Sequence, residues 1–183
     1  MKYTQAEKLQ ISMLCEIYRT LGIKNSYNPD VVDSAISSDN YWALGMEYPD
    51  LDTGEPLPDS VTLVIDAIDM YDILDYTYKQ MSKEDRDEVA AAVTRFDPAH
   101  SLKFPGFDGN NEGHYRNIAY LLRKMGRFSE IEITANSHRP MIDIYRRMLE
   151  VFLSERADFE PDVGISKQSF IDTLNAKTHP ENR

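Results

Sequence analysis

The sequence predicts an all-α protein, a single-domain helical bundle of about six or seven helices around one buried central helix. Two observations carry this prediction: apolar residues recur at helical spacing along most of the chain, and residues that start or stop helices stand at the ends of these segments. Only residues 131–134 leave a strand open as an alternative to a loop. With 183 residues, 42% of them hydrophobic, the chain is long enough to bury a continuous core.

The first helix is predicted from about residue 5 to residue 21. Thr4 and Glu7 have the spacing of a capping box, and Gly22 stands where a C-terminal stop is expected. One apolar stripe runs along this helix and contains Leu9, Met13, Leu14, Ile17, Tyr18 and Leu21.

The other helices follow from the same signals. They are expected near residues 28–36, 60–81, 83–96, 112–125, 141–156 and 166–176. Between the second and third of the predicted helices, the aromatic segment 41–48 is expected to be anchored on the core, and the proline-rich segment 49–58 to form an exposed loop. We predict a helical core domain over 1–157 and a C-terminal extension over 158–183, with one short helix and a frayed end.

The predicted central helix, about 60–81, has apolar residues nearly all around its axis, which is typical of the buried centre of a bundle. Its aspartates recur every three residues, so they spread over about half the circumference and cannot all face solvent. Burying carboxylates without cations is costly. We therefore expect Asp66 or Asp69 to pair with an arginine between 116 and 147, and the candidates for buried ion pairs are Asp66, Asp69, Arg116, Arg123 and Arg146.

Composition excludes several functional classes. The net charge of −11 disfavours nucleic-acid binding, because phosphate contacts need a basic surface. Cys15 is the single cysteine, so no internal disulfide can form, and a buried thiol in a reducing cytoplasm is expected. No signal peptide or membrane-spanning run of apolar residues is predicted. The four histidines are too widely spaced for a helical metal pair, and no glycine-rich phosphate loop follows a strand, so neither metal nor cofactor is expected.

The segment 104–116 is the strongest candidate for a functional loop. It combines two phenylalanines, a proline and three glycines with polar side chains, and its candidate ligand-binding residues are Asp108, Asn110, Glu112, His114 and Arg116. The alternation of Asp108, Asn110 and Glu112 resembles the first half of a calcium loop, but Arg116 and Ala119 stand where later ligands are needed. The alternative is structural: these residues form turns and cap the following helix, with Arg116 available to an anion.

A second motif is the spacing of Arg95 and His100, which resembles the nuclease motif of the all-α HEPN ribonucleases. Pro98 interrupts any helix that would present both side chains together, and the acidic surface is poor for RNA. An accidental match is therefore the favoured interpretation.

Three blocks of sequence carry a family resemblance. Residues 64–71, the loop and helix over 104–128, and residues 141–149, together with the first helix, resemble the YfbU family of bacterial proteins. The resemblance implies a small helical cytoplasmic protein that can self-associate, and the family offers no established activity or catalytic residues. The chain departs from shorter members in 49–58 and in the tail after Phe152.

The predicted function is a non-enzymatic protein–protein interaction or regulatory module. It is expected to form a homo-oligomer or to bind another protein through its acidic or tyrosine-rich surface. One alternative is a small-ligand protein or enzyme that uses the 104–116 loop, and a further one is a stress- or defence-associated ribonuclease.

Overall fold

The computed structural model describes residues 3–24, 26–156 and 159–178. These residues form nine α-helices, one 3-10 turn and no strand, which confirms the all-α bundle. The helices are α1 Gln5–Leu21, α2 Pro29–Ser37, α3 Trp42–Glu47, α4 Asp59–Gln80, α5 Lys83–Ala92, α6 Pro98–Ser101, α7 Gly113–Lys124, α8 Ile142–Glu155 and α9 Lys167–Asn175, and the 3-10 turn is Pro49–Leu51. Seven of them correspond to the predicted helices, and α3 and α6 are short additions.

The ends of α1 are set by local sequence. The Thr4 side chain accepts from the Glu7 N–H, and the Glu7 carboxylate accepts from the Thr4 N–H at 2.7 Å, which is the predicted capping box. At the other end Gly22 adopts the left-handed conformation with φ 61°. Cys15 is buried as predicted, and burial raises the pKa of its thiol.

The central helix is α4. Its buried side chains cover about half of the helix circumference, and partly buried residues cover much of the other half. The helix packs against α7 and α8, among other elements. The buried residues of α4 are Val61, Val64, Ala67, Ile68, Met70, Tyr71, Leu74 and Thr77. Four aromatic rings fill the middle of the core with centroids 5.5 to 6.1 Å apart, and they belong to Tyr71, Phe104, Phe107 and Tyr145. Two of these four come from the loop before α7, so the core holds that loop in place.

The C-terminal segment also contributes to the core. Ile165, Phe170 and Leu174 are buried in the same cluster as α4, and α9 packs along α8. The Ile165 N–H donates to Thr77 Oγ1 of α4 at 3.2 Å. The division at 157/158 stays a prediction, and the frayed end predicted after 176 lies largely outside the described residues.

Residues 131–134, for which strand and loop were both open, form a loop. Beside it, Phe107 and Asn136 form an isolated parallel bridge. No helix of the described residues combines the length and the apolarity needed to cross a bilayer.

Candidate functional site

The loop before α7 is anchored by its aromatic residues and by one glycine. Phe104 and Phe107 are buried, and Gly106 lies between them with φ 80°. A side chain at position 106 would lie 2.0 Å from the Ala135 carbonyl oxygen, so the two backbones can approach only because this residue is glycine. The Tyr145 hydroxyl donates to the Gly106 carbonyl oxygen at 2.6 Å, which fixes the turn from the core side.

Glu112 links this loop to the start of α8. Glu112 is 6% exposed, and its carboxylate accepts three backbone hydrogen bonds: from Asp108 at 3.0 Å, from Met141 at 2.6 Å and from Ile142 at 2.8 Å. The first N–H groups of a helix lack partners within the helix and attract negative charge. Glu112 thus occupies the N-terminus of α8 in the way that a bound anion would.

Asp108 organises the turn that precedes Glu112. Its carboxylate accepts from the Asn110 N–H at 3.1 Å and from the Asn111 side-chain amide. These two hydrogen bonds, that from Asn111 first, hold the pKa of Asp108 below its ordinary value. Asp108 therefore stays ionised and serves as a turn former.

His114 and Arg116 lie on α7 with other partners. His114 is exposed and its Nε2 is 3.1 Å from Ser60 Oγ. The Arg116 guanidinium lies 5.3 Å from the centroid of the Tyr120 ring and donates to its hydroxyl at 3.2 Å, while its buried Nε has no partner. The structure thus joins Asp108, Asn110 and Glu112 in one hydrogen-bonded turn, and holds His114 and Arg116 outside that network. Two grooves on the protein, of about 510 and 350 Å³, are lined by residues other than these five candidates.

Asp66 and Asp69 of α4 both pair with an arginine, but it is a different arginine from those predicted. Arg156 donates to Asp66 at 3.1 Å and to Asp69 at 2.9 Å. Arg156 directly follows α8, which packs alongside α4, so the end of α8 brings the guanidinium beside both carboxylates. Burial raises the pKa of Asp69 despite the opposing attraction of Arg156, and the neighbouring Asp66 raises it further.

The three predicted arginine partners have other contacts. Arg116 contacts Tyr120, and Arg123 donates to the backbone carbonyls of residues 128, 129 and 131. Arg146 pairs with Asp143 of its own helix at 3.4 Å on the surface. None of these described contacts is with Asp66 or Asp69.

The ribonuclease-like pair is split between two elements. Arg95 lies in the turn after α5 with φ 56°, and His100 lies in α6. The exposed His100 Nδ1 is 2.6 Å from the Asp97 carboxylate, which also caps α6 by accepting from the Ala99 N–H. His100 thus contacts the residue that caps its own helix.

The apolar stripe of α1 faces outward. Five of its side chains are between 50 and 68% exposed, and they belong to Leu9, Met13, Leu14, Ile17 and Leu21. Ile23 and Tyr27 follow the helix and are also exposed. We call these seven residues the α1 outer face. A run of large exposed aliphatic residues on one helix is typical of an interaction surface.

The opposite side of α1 attaches the helix to α2 and the turn after it through polar residues, which lie beside the buried Cys15 and the partly buried Ile11. Lys8 pairs with Asp39 at 2.7 Å, Ser12 donates to Asp33 at 2.6 Å, and Arg19 donates to Asp30 at 2.8 Å and to Asp33 at 3.0 Å. Hydrogen bonding to the carboxylates raises the pKa of Lys8 and of Arg19 and lowers that of Asp33, for which the Ser12 hydrogen bond is the main cause. Most of the large apolar side chains of α1 therefore face outward, whereas an amphipathic surface helix usually turns them toward the core.

Comparison with known proteins gives the family. The sequence model of the YfbU domain matches residues 1–172. The chain belongs to the YfbU family. UPF0304 protein MJECS11 of Methanocaldococcus jannaschii is 30% identical over 130 residues, 67% of this chain and 71% of that protein. The resemblance found in the sequence is confirmed, and the match to the YfbU domain includes the proline-rich segment 49–58 and runs into α9.

Two features of this YfbU domain were missed from sequence. The first is Arg156, whose position depends on the exit of α8 from the core and has no local signal. The second is the outward orientation of the α1 stripe. A signal for it does exist, because Lys8, Ser12 and Arg19 share the other side of α1 while α2 and its end carry Asp30, Asp33 and Asp39. Complementary polar residues on neighbouring helices indicate which sides meet.

Proposed function

We propose that this YfbU-family protein is a non-enzymatic interaction module that pairs with a second copy of itself through the α1 outer face. The observation that carries the proposal is the orientation of α1, whose row of large apolar side chains is exposed while the side that carries its ion pairs packs on α2 and the turn after it. Exposure of this much aliphatic surface is costly for a monomer and is relieved when a partner covers it. The single buried thiol supports a cytoplasmic location.

The spacing along α1 supports a second copy as the occupant. A two-fold interface is self-complementary, so that if residue i contacts residue j of the partner, j contacts i as well. The row Leu9, Met13, Ile17 and Leu21 is symmetric about its midpoint. With antiparallel helices and a two-fold axis midway between Met13 and Ile17, Leu9 meets Leu21 of the other copy and Met13 meets Ile17. Such rows at four-residue spacing interdigitate in the commonest class of helix packing.

Charge and size are also compatible with self-pairing. The row itself contains no charged residue, so the net charge of −11 is not concentrated at the contact. In the antiparallel arrangement Lys24 of one copy lies beside the first turn of the other, where Glu7 is located. The 17 residues of α1 span about 25 Å, and Ile23 and Tyr27 extend the apolar surface beyond the helix.

The test is sedimentation equilibrium of the wild type and of Ile17→Glu. Because each new carboxylate would be buried without a cation against Met13 of the other copy, we expect the variant to dissociate at least about 100-fold more readily. The matched control is Leu153→Glu, which adds the same charge at an exposed leucine of α8 and should leave association unchanged. A wild-type protein that remains monomeric throughout the micromolar range would overturn the proposal.

Cross-linking tests the arrangement. In a Cys15→Ser background, Met13→Cys chains mixed with Ile17→Cys chains should form mixed disulfides in preference to like-with-like ones, because the antiparallel pairing brings those two positions together. A preference for like-with-like disulfides would instead indicate parallel helices and contradict the two-fold arrangement described here.

The two alternative functions have less support. A ligand site or enzyme at 104–116 would need the carboxylates of Asp108 and Glu112, and both are engaged by internal hydrogen bonds. A ribonuclease would need the side chains of Arg95 and His100 next to each other, and the His100 ring is hydrogen-bonded to Asp97.

A further inference from the structure

A second surface feature is a groove of about 510 Å³ between α3 and the proline-rich segment 49–58. One wall is aromatic and is formed by Tyr3, Tyr41 and Trp42. The other wall is the strap formed by Pro56, Leu57 and Pro58, just before α4. We call this feature the α3 groove.

The walls of the α3 groove are held by specific contacts. The Trp42 indole N–H donates to Asn40 Oδ1 at 3.0 Å, and the rings of Tyr3 and Tyr41 lie 5.2 Å apart. Gly45 lets the turn at Asp52 approach α3, since a side chain at position 45 would lie 3.2 Å from the Asp52 Cα. The aromatic wall and the turn at Asp52 are therefore shaped before any ligand arrives.

The charged residues that line the α3 groove in the described part of the chain are acidic. They are Asp39, Asp52 and Glu55, and none of the described lining residues is a lysine, an arginine or a histidine. The Asp39 carboxylate accepts from Lys8 and from the Tyr41 hydroxyl, and Asp52 Oδ1 accepts from the Gly54 N–H at 3.0 Å. Glu55 has no ion pair or hydrogen bond to the rest of the described chain, so its carboxylate is available to a ligand.

From these contacts we propose that the α3 groove binds an alkylammonium cation, with its apolar chain along the strap and its charged head between the aromatic wall and Glu55. Aromatic faces attract cations, and the Glu55 carboxylate, which has no partner among the described residues, adds an opposite charge. An anion would be repelled, and an uncharged ligand would desolvate the carboxylates without pairing them. This site is separate from the α1 outer face and does not depend on pairing of two copies.

Trp42 makes the test direct, because it is the only tryptophan of the chain and lines the α3 groove. We would titrate the full chain with n-pentylammonium chloride at low ionic strength and follow the fluorescence of Trp42. The uncharged control ligand is 1-pentanol, which has the same chain. A saturable change with n-pentylammonium and at least about tenfold weaker binding of 1-pentanol is expected.

The variant test reverses one charge. Glu55→Lys places an ammonium group in the α3 groove and should weaken n-pentylammonium binding about tenfold or more. Asp50→Lys is the matched control: it makes the same change in net charge five residues away, at an exposed residue outside the groove lining, and should leave binding within about twofold. Glu55 is exposed and makes no described internal bond, so its replacement should not disturb folding.

A further arm distinguishes the source of the cation. Nα-acetyl-lysine methylamide carries the same head on a peptide backbone, and tighter binding of it than of n-pentylammonium would assign the α3 groove to a lysine side chain of a peptide. Tighter binding of n-pentylammonium would assign it to a free amine. The proposal is overturned if no saturable change occurs, if 1-pentanol binds equally well, or if Glu55→Lys binds as the wild type does.

Discussion

The loop before α7 and the helix α1 distribute polarity in opposite ways. In the loop, the polar side chains of Asp108 and Glu112 are buried, and their oxygens accept hydrogen bonds from the protein's own backbone. In α1, the polar side chains also hold the structure together, but the large aliphatic side chains remain outside.

The difference teaches where to look for binding in a chain without a recognised catalytic motif. The loop has the composition of a binding site, yet its described hydrogen bonds are internal. Helix α1 has the composition of an ordinary core helix, yet it leaves its apolar surface uncovered. A polar or apolar side chain therefore indicates a binding site only when the protein itself does not already provide its hydrogen-bond or packing partners.

The largest loss of stability is expected when the buried carboxylate of Glu112 is removed. Glu112→Ala would leave three buried N–H groups without an acceptor, so the free energy of unfolding should fall by at least about 3 kcal/mol. Urea denaturation followed by circular dichroism measures it. Glu112→Gln keeps an amide oxygen as acceptor and should lose less. A loss below about 1 kcal/mol in the alanine variant would show that water replaces the carboxylate easily, and would weaken the contrast with α1.

An intermediate loss of stability is expected at Arg156, whose half-exposed guanidinium pairs with two carboxylates. Arg156→Gln should lower the free energy of unfolding by about 1 kcal/mol at neutral pH, because Asp66 and Asp69 are left facing each other. The control is Arg146→Gln, whose surface pair with Asp143 should contribute almost nothing.

The loss of stability caused by Arg156→Gln should depend on pH in a defined direction. The pKa of Asp69 in the folded protein already lies above the ordinary value of 3.8, and loss of the cation raises it further. A carboxyl with a raised pKa binds its proton more tightly in the folded state, so stability increases as the pH falls through that range. The deficit of Arg156→Gln should therefore shrink on acidification, and a deficit that grew instead would contradict the charge argument.

The smallest effect on folding is expected on the α1 outer face. Leu14→Ser should change the free energy of unfolding by no more than about 0.5 kcal/mol at a concentration where the protein is monomeric, because this side chain is 56% exposed. The matched buried site is Leu122 of α7, where the same substitution should cost several times more. A large loss at Leu14 would mean that α1 packs more closely than the structure shows, and would remove the contrast.

Much of the fold follows from local signals. The bounds of α1 were predicted from the capping box at Thr4 and the stop at Gly22, and those of α4 from its long run of apolar residues. Both predictions lie close to the observed bounds. Helices α3 and α6 have six and four residues, too few to show a period. The fifth helix ends at Ala92 instead of near residue 96, because the chain turns through a left-handed Arg95 for which the sequence carries no marker.

The candidate site was less predictable, because its outcome depends on contacts distant in sequence. The turn role of Asp108 follows from its neighbours Asn110 and Asn111, and it was among the interpretations the sequence left open. The role of Glu112 depends on residues 141 and 142, which only the tertiary structure brings near. The orientation of α1 depends on the acidic residues of α2, and the apolar pattern of α1 alone does not show which side of the helix faces the core.

The attachment of α1 by ion pairs has a consequence for motion. Salt weakens exposed pairs such as Arg19 with Asp30, whereas it does little to the apolar packing around α4. Segments with few buried apolar contacts open locally at a lower free energy than the global unfolding reaction. The backbone amides of α1 should therefore exchange their hydrogens with solvent well before those of α4 and faster as salt is raised, and a covering partner would slow that exchange along the whole helix.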